Sequence, residues 1–559
     1  MSFIQDAPRL SNPFNADRVL RSWLRRHVAP RDLPDWEREL GAFGQLIEQE
    51  LYPQQLAELD AEPALIQFDA WGKRIDEIRL TPLWLRLKGV AAKHGLVATG
   101  YDRELGALAR VKQFALNYLF TAASDIYSCP LAMTDGATRA LLDARNERLI
   151  QRAVPHLLSR DPAQFWTSGQ WMTETSGGSD VSRTETIARM DDAGQWRVYG
   201  RKWFTSAASS EMAVLLARPE GGPAGSEGLA LFYIEPRDAE GRLQGATIER
   251  LKHKLGTRKL PTAEIRLDGA PVQPVGALTH GIRHIAPVLN ITRIWNAIAA
   301  LSLFRRGLQL ARDYAQRREV FGKPLLEQPL HQQTLADLQA EFEAGFHLSF
   351  LAIELLGRQD CGELDDQHKA LLRLLTPLVK LLTARQAVAG LSEVVEAFGG
   401  AGYIEWTGIP VLLRDAQVLS IWEGTTNVLS LDTLRVLQAT SLLPARAHLK
   451  ATLATVVDNP EEVGQLQRAF DGLAQRTEAL FRGDRESLEV NGRAIALSLA
   501  RILAAAQLLK HGAWASRAEA DPRPLAAARR FIRHGLVQPE TGSADDRQML
   551  GMDKHPGGG

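Results

Sequence analysis

At 559 residues the chain is long enough for three or four domains and for sizeable cores without covalent staples. Its content, 45% apolar and 24% charged with 66 Lys+Arg against 66 Asp+Glu, excludes a surface that is basic throughout for nucleic acid or acidic membrane. Cys129 and Cys361 are its only cysteines, which excludes a disulfide framework and a cysteine-built metal cluster and fits a reducing cytoplasm.

The first twenty residues, MSFIQDAPRLSNPFNADRVL, carry charge and proline in place of the apolar stretch of a secretion signal. Up to about residue 50, Pro8, Pro13, Pro30 and Pro34 are expected to break any long element. Helical periodicity follows from Gln54 to Gln164, clearest over 103–122 and 137–158. The period then changes. Trp196, Val198 and the runs 212–217, 229–234 and 263–267 are of strand length, with Gly, Pro and Asp between them, which predicts an all-β module over about 165–275. From Ile285 the helical period returns in four long amphipathic stretches, 288–318, 330–358, 367–398 and 428–441, the pattern of a bundle. Three more helices, 461–482, 488–515 and 524–536, precede a polar tail ending KHPGGG. The longest apolar runs, 288–304 and 494–509, are interrupted by Arg293 and Arg501, short of a membrane span.

Several short motifs carry chemistry. In Ser420-Ile-Trp-Glu-Gly-Thr-Thr-Asn427 a glutamate, Glu423, stands against apolar Ile421 and Trp422 just before a helix that Thr425 or Thr426 can cap. The helix N-terminus favours the carboxylate, while an apolar pocket raises its pKa, as a base for a weak C–H acid requires. The plain alternative is a charge beside a helix start. The loop Trp171-Met-Thr-Glu-Thr-Ser-Gly-Gly-Ser-Asp-Val-Ser182 offers hydroxyls and two glycines to a phosphate or a polar ring edge, or is an ordinary turn. Lys202-Trp-Phe-Thr-Ser206 sets an aromatic on a strand, where it covers a planar group or fills core. Arg318-Glu-Val-Phe-Gly322 and Phe398-Gly-Gly-Ala-Gly-Tyr403 are helix stops or nucleotide contacts. Thr292-Arg293 places a cation inside an apolar helix.

Taken in chain order, the TETSGGSDVS loop, the KWFT strand, Lys254-Leu-Gly-Thr-Arg258, the Arg318–Gly322 and Phe398–Tyr403 motifs and the IWEGTTN glutamate resemble the acyl-CoA dehydrogenase family over about residues 55–440. Ser128-Cys-Pro-Leu-Ala-Met-Thr134, the form GGSDVS, and Phe68-Asp-Ala-Trp-Gly-Lys-Arg74 resemble its AidB-type branch. The resemblance implies an α+β multidomain chain: an N-terminal extension (1–53), an N-terminal helical domain (54–164), a β-barrel domain (165–280), a C-terminal four-helix bundle (281–441) and an extra helical domain with a tail (442–559). It implies FAD between barrel and bundle. Met172 and Thr173 would face the ring edge, Ser179 the pyrophosphate or the acyl-CoA, Trp203 the ring and Thr205 the N5 atom. Arg318 and Phe321 would reach the FAD of a neighbouring subunit, with Gly399, Gly400, Thr425 and Asn427 completing the site in a homotetramer. Ser179, Asn290, Arg293, Trp422 and Gly424 would line the acyl-CoA, and Glu423 would be the catalytic base, Thr292 filling the slot that holds the base in some relatives.

The implied activity is α,β-dehydrogenation of an acyl-CoA, with electrons passing to an electron-transfer flavoprotein. The sequence departs from the family pattern at Gln328-Pro329 and Glu396, where glutamines are common, and at Asn290, where some relatives carry aspartate. A DNA-binding role, which AidB-type members suggest, needs a basic surface, yet residues 441–559 hold 16 Lys+Arg against 14 Asp+Glu. An oxidase and a non-catalytic acyl-CoA sensor are the other readings. The end of the chain lacks the peroxisomal address common in oxidases.

Overall fold

The computed structural model describes residues 5–539 and 544–553; the closing KHPGGG lies outside them. The chain divides into two compact units. One comprises Met1–Phe342, Ser349–Leu364 and Thr383–Glu423, the other Glu343–Leu348, Asp365–Leu382 and Gly424–Gly559.

In the first unit the first helix begins at Arg18. Asp17 caps the helix Arg18–His27 by accepting from the Val19 and Leu20 N–H groups, and Pro34 occupies the first turn of Leu33–Leu46, where a missing N–H costs nothing. Pro30 lies in the break between these two helices and Pro8 and Pro13 in non-helical chain, as expected, while Pro34 starts a helix. A hairpin that periodicity did not suggest follows, β1 (Ala64–Phe68) and β2 (Arg74–Arg79). Its Gln67 and Arg74 donate to the carbonyl of Ile248 at 3.0 and 2.8 Å, tying it to the β-module. The helical periodicity over 137–158 falls on two helices, Ser128–Ala144 and Glu147–Leu157. Arg145 turns left-handed between them, and Asn146 caps the second by accepting from Leu149 N–H.

The β-module has seven strands: β3 (Ser168–Trp171), β4 (Ile187–Met190), β5 (Trp196–Ser206), β6 (Met212–Pro219), β7 (Ala230–Ile234), β8 (Ala246–Leu251) and β9 (Thr262–Pro274). Pairing runs β6–β4–β5–β9–β7 and returns from β7 to β6, so the sheet closes into a barrel, with β3 added on β6 and β8 on β9. Alternation explains the apolar runs. Ala213, Leu215 and Ala217 of β6 pack with Phe232 and Ile234 in one core, while Met212, Val214 and Leu216 face a second core with Leu141, Leu149 and Val288 of the helices. Both faces are buried, so these strands read as unbroken hydrophobic stretches.

Four long helices follow the barrel in sequence: Gly281–Arg317, Pro329–Asp360, Asp366–Ala397 and Thr426–Thr440. Gly281–Arg317 and, in the second unit, Arg485–Ala518 are long and apolar enough to cross a membrane, but 78% of each apolar window is buried, which is how core helices look. The second unit is organised on Arg485–Ala518, against which Thr426–Thr440, Leu443–Leu453, Pro460–Arg482 and Arg523–Arg533 pack. Leu443–Leu453 was not expected from the sequence; Pro444 sits in its first turn.

Candidate active site

Glu423 lies in a turn after the helix Ile409–Leu419 and holds φ +57°, a region rare for a side-chain-bearing residue and one that clusters at functional sites. One helix secures this turn. Thr292 Oγ1 lies 2.8 Å from Glu423 Oε2, and Arg293 Nε donates to the Glu423 main-chain oxygen at 3.3 Å. One turn on, Asn296 accepts from Trp422 Nε1 and donates from Nδ2 to the Leu419 carbonyl at 3.2 Å. Positions 292, 293 and 296 share one face of the 281–317 helix, so carboxylate, main chain and indole are fixed by a single rigid element. Asn290 is half-buried one turn before them.

In the second unit, Gly424 adopts φ +104° and its carbonyl accepts from Lys380 Nζ at 2.5 Å. Thr425 caps the helix Thr426–Thr440 by accepting from Val428 N–H, while Asn427 is exposed.

Cys129, at the start of the Ser128–Ala144 helix, faces both Lys254 and Glu423; burial pushes its thiol up to about 12, so it stays neutral. Burial also holds the Lys254 ammonium down to about 8, opposed by Cys129 and Asp415. Lys254 Nζ donates to the Leu260 carbonyl and Thr262 Oγ1 at 2.7 and 2.8 Å. Its loop is pinned to the 409–419 helix: Thr257 N–H meets Asp415 Oδ1 at 2.6 Å, and a Cβ on Gly256 would stand 2.3 Å from the Arg414 carbonyl oxygen. Only glycine permits that approach.

Burial pushes the Asp415 carboxyl up to about 6, with Asp125 adding to the rise against the pull of Thr257 N–H, Arg414 and Lys254. A carboxyl raised on folding withdraws stability as pH climbs from its unfolded value to its folded one, and no more above that. Asp415→Asn keeps an oxygen for Thr257. It is expected to be more stable than wild type by about 3 kcal/mol at neutral pH, with most of the gain gone near pH 4. Denaturant unfolding at the two pH values checks this.

The TETSGGSDVS loop leaves β3 with Met172 buried and Thr173 half-buried. Glu174 has a structural role. Its carboxylate accepts from Lys202 Nζ and Thr186 Oγ1, both at 2.6 Å, and from Glu185 N–H at 2.7 Å. Trp203 N–H donates to the Thr173 carbonyl at 2.9 Å. Loop and strand are thus joined twice, which accounts for two motifs that sequence reading kept separate. Gly178 and Ser179 are exposed, and the hydroxyls of Thr173, Thr175 and Ser179 make no hydrogen bond among the described residues.

Trp203 is half-buried with Lys252 Nζ 3.2 Å from its ring centre, and Arg201 and Arg250 at 5.2 and 5.7 Å. Thr205 requires a correction. It is fully buried and donates its only hydroxyl proton to the Ala263 carbonyl at 2.6 Å, so as placed it cannot also donate to a flavin nitrogen.

Arg318 ends the 281–317 helix and leads into the hairpin β10 (Glu319–Val320) and β11 (Lys323–Pro324). At its tip Phe321 has φ +50° and is 99% exposed. Gln328 donates to the Val320 carbonyl at 2.9 Å and so braces this hairpin. Gly399 and Gly400 are exposed with open space where a Cβ would be, next to exposed Tyr403 and Trp406. Glu396 is exposed as well. The free hydroxyls, the half-buried indole and the open glycines fit a flat, phosphate-bearing cofactor; Thr205, as placed, has no proton left to give it.

Three arginines of the C-terminal region have acidic partners of their own. Arg517 pairs with Asp458, Arg523 with Asp521 and Arg529 with Glu462, at 2.7, 2.8 and 2.5 Å.

Residues 6–162 match the adaptive response protein AidB N-terminal domain, 169–270 the acyl-CoA dehydrogenase middle domain, 279–438 the acyl-CoA dehydrogenase C-terminal domain, and 446–553 the acyl-CoA dehydrogenase 11 C-terminal domain-like family. Acyl-CoA dehydrogenase family member 11 of Caenorhabditis elegans is 40% identical over 529 residues, 91% of this chain and 85% of that protein. AidB of Escherichia coli (strain K12) is 32% identical over 460 residues, 80% of each chain. The crystal structure of Caenorhabditis elegans ACDH-11 in complex with C11-CoA superposes with a TM-score of 0.93 at 38% identity, covering 98% of this chain and 96% of that one. From its helical–barrel–helical order to its extra C-terminal domain, the chain belongs to the acyl-CoA dehydrogenase family.

Proposed function

We propose that the protein is an FAD-dependent dehydrogenase of fatty acyl-CoA thioesters, with Glu423 as the base that removes the α-proton. The observation that carries the reading is the clamped, left-handed turn at Glu423, whose carboxylate, main chain and neighbouring indole are all tied to the 281–317 helix. Such a clamp keeps a base aimed at one carbon, which is worth more to catalysis than its basicity alone. The flavin, when bound, supplies the two-electron acceptor for the β-hydride. Met172, Thr173 and Ser179 would meet the cofactor from the loop, and Trp203 would wall the ring. Arg293, Asn290, Trp422 and Ser179 would line the thioester chain.

ACDH-11 has been crystallised with C11-CoA, and the likeness over nearly the whole chain supports an acyl-CoA of that class here. The 99% exposed Phe321 and the exposed Tyr403 and Trp406 support a second copy of the chain covering this surface, as a homotetramer with a shared cofactor site requires. Electrons would pass on to an electron-transfer flavoprotein in the cytoplasm. The local pairing of Arg517, Arg523 and Arg529 weighs against DNA as the main ligand.

Anaerobic titration of the FAD-loaded protein with saturated acyl-CoAs of increasing length, C11-CoA among them, tests the reading. Bleaching of the flavin band by one length class is expected. A spectral shift without bleaching would make the protein an acyl-CoA sensor, and no response at all would overturn both.

A further inference from the structure

We propose that Thr292 is a positioning residue whose single hydroxyl proton follows the protonation state of Glu423, so that the base keeps its place before and after it takes the substrate proton. The inference rests on the reading of Glu423 as the base.

Thr292 Oγ1 lies 2.8 Å from Glu423 Oε2, 3.0 Å from the Val288 carbonyl and 3.2 Å from the Leu289 carbonyl. All three are acceptors while Glu423 is ionised, and a hydroxyl has one proton to give. With the carboxylate present, that proton goes to Oε2, since the charge-assisted bond is the stronger. Once Glu423 has taken the α-proton, its new O–H donates to Thr292 Oγ1, and the threonine proton swings back to Val288. The α C–H bond breaks and one Glu423 O–H bond forms; the Thr292 O–H is kept throughout and only rotates. No heavy atom has to move.

The surrounding groups cannot do the same. Arg293, on the same helix, directs Nε to the Glu423 main-chain oxygen, and a guanidinium only donates. Lys254, reaching in from the loop after β8, is bonded to Leu260 and Thr262, and the buried Cys129 thiol is a weak donor and a weak acceptor. A cation placed at position 292 would hold Glu423 ionised and oppose proton transfer. An alkyl side chain would give neither of its states the bond that Thr292 gives. Thr292 is itself only 3% exposed, which keeps its proton between these protein acceptors.

The experiment compares Thr292→Val, which keeps the shape, with Thr292→Ser, which keeps the hydroxyl. Anaerobic bleaching by C11-CoA is followed against pH, with Glu423→Gln alongside. Loss of the donor disfavours the carboxylate more than loss of the acceptor disfavours the acid. Thr292→Val should therefore move the acidic limb up by about one pH unit and slow bleaching about tenfold, and Thr292→Ser should restore both. The carboxylic C=O stretch in infrared pH titrations, assigned by its absence in Glu423→Gln, reads the same shift without turnover or bound flavin. An unmoved limb or infrared titration in Thr292→Val overturns the proposal, as does a shift that serine does not reverse. Undiminished bleaching in Glu423→Gln removes the base reading and the proposal with it. A silent Glu423→Gln beside an unmoved Thr292→Val removes the proposal alone.

Discussion

Glu423→Gln is expected to slow flavin bleaching by saturated acyl-CoA by about 10³-fold, the middle of the range for removing a positioned general base. The substitution is conservative in every other respect. Glutamine has the same length, its Oε1 still accepts from Thr292, and the Arg293 bond to the main chain at 423 and the Trp422–Asn296 bond are untouched. The turn has no reason to change, nor has the affinity for the thioester, so the loss should fall on the reaction rate while the spectral shift on binding persists. Stopped-flow mixing under anaerobic conditions separates the two. A variant that bleached within tenfold of wild type would show that the proton leaves by another route, and Glu423 would revert to a charge at a helix start.

Much of this architecture was legible because the hydrophobic period changes twice along the chain. Strands β6 and β7 are buried on both faces and therefore read as unbroken apolar runs; the long helices after residue 280 have one buried face each and read by their 3.6-residue period. What stayed hidden was set by contacts distant in sequence. The β1–β2 hairpin is stabilised by bonds to Ile248, some 180 residues away, and its own pattern is too short to announce a strand. Thr292 was seen only as the residue occupying a slot; that it touches Glu423 depends on a turn 131 residues later. Thr205 was misjudged for a related reason. The register shift between Lys202 and Thr205 on β5 turns its hydroxyl onto β9, and a bulge of this kind leaves no trace in a sequence pattern. One signal was available and overlooked. The two-residue phase set by Val198 places Lys202 on the inward side of β5, where a lysine must find an acid.

That acid is Glu174, and Lys202→Met is expected to cost about 3–5 kcal/mol, the usual penalty for leaving one member of a buried ion pair unanswered. Lys202 is fully buried and gives protons to Glu174 and to the Leu216 carbonyl at 2.6 and 2.8 Å. Methionine fills the same space and returns neither bond. Removing the acid as well, in Lys202→Met with Glu174→Gln, deletes both charges and should recover part of the loss, so the pair is non-additive. The effect also has a sign in pH. Burial alone would raise the Glu174 carboxyl, but Lys202, Thr186 and the Glu185 N–H together hold it below its ordinary value. The stability this contributes is present above the unfolded carboxyl value, roughly pH 4, and fades as pH falls through the folded one. The gap between wild type and Lys202→Met should therefore be widest near neutrality and narrow in acid. Denaturant unfolding across that range measures it, and a gap independent of pH would mean that the lost packing, not the charge, was responsible. Because the same pair joins the Thr173–Ser179 loop to the strand carrying Trp203, flavin retention after gel filtration should fall in step with stability. The acid and the lysine thus sit outside the reaction yet hold in register the two segments that would grip the cofactor.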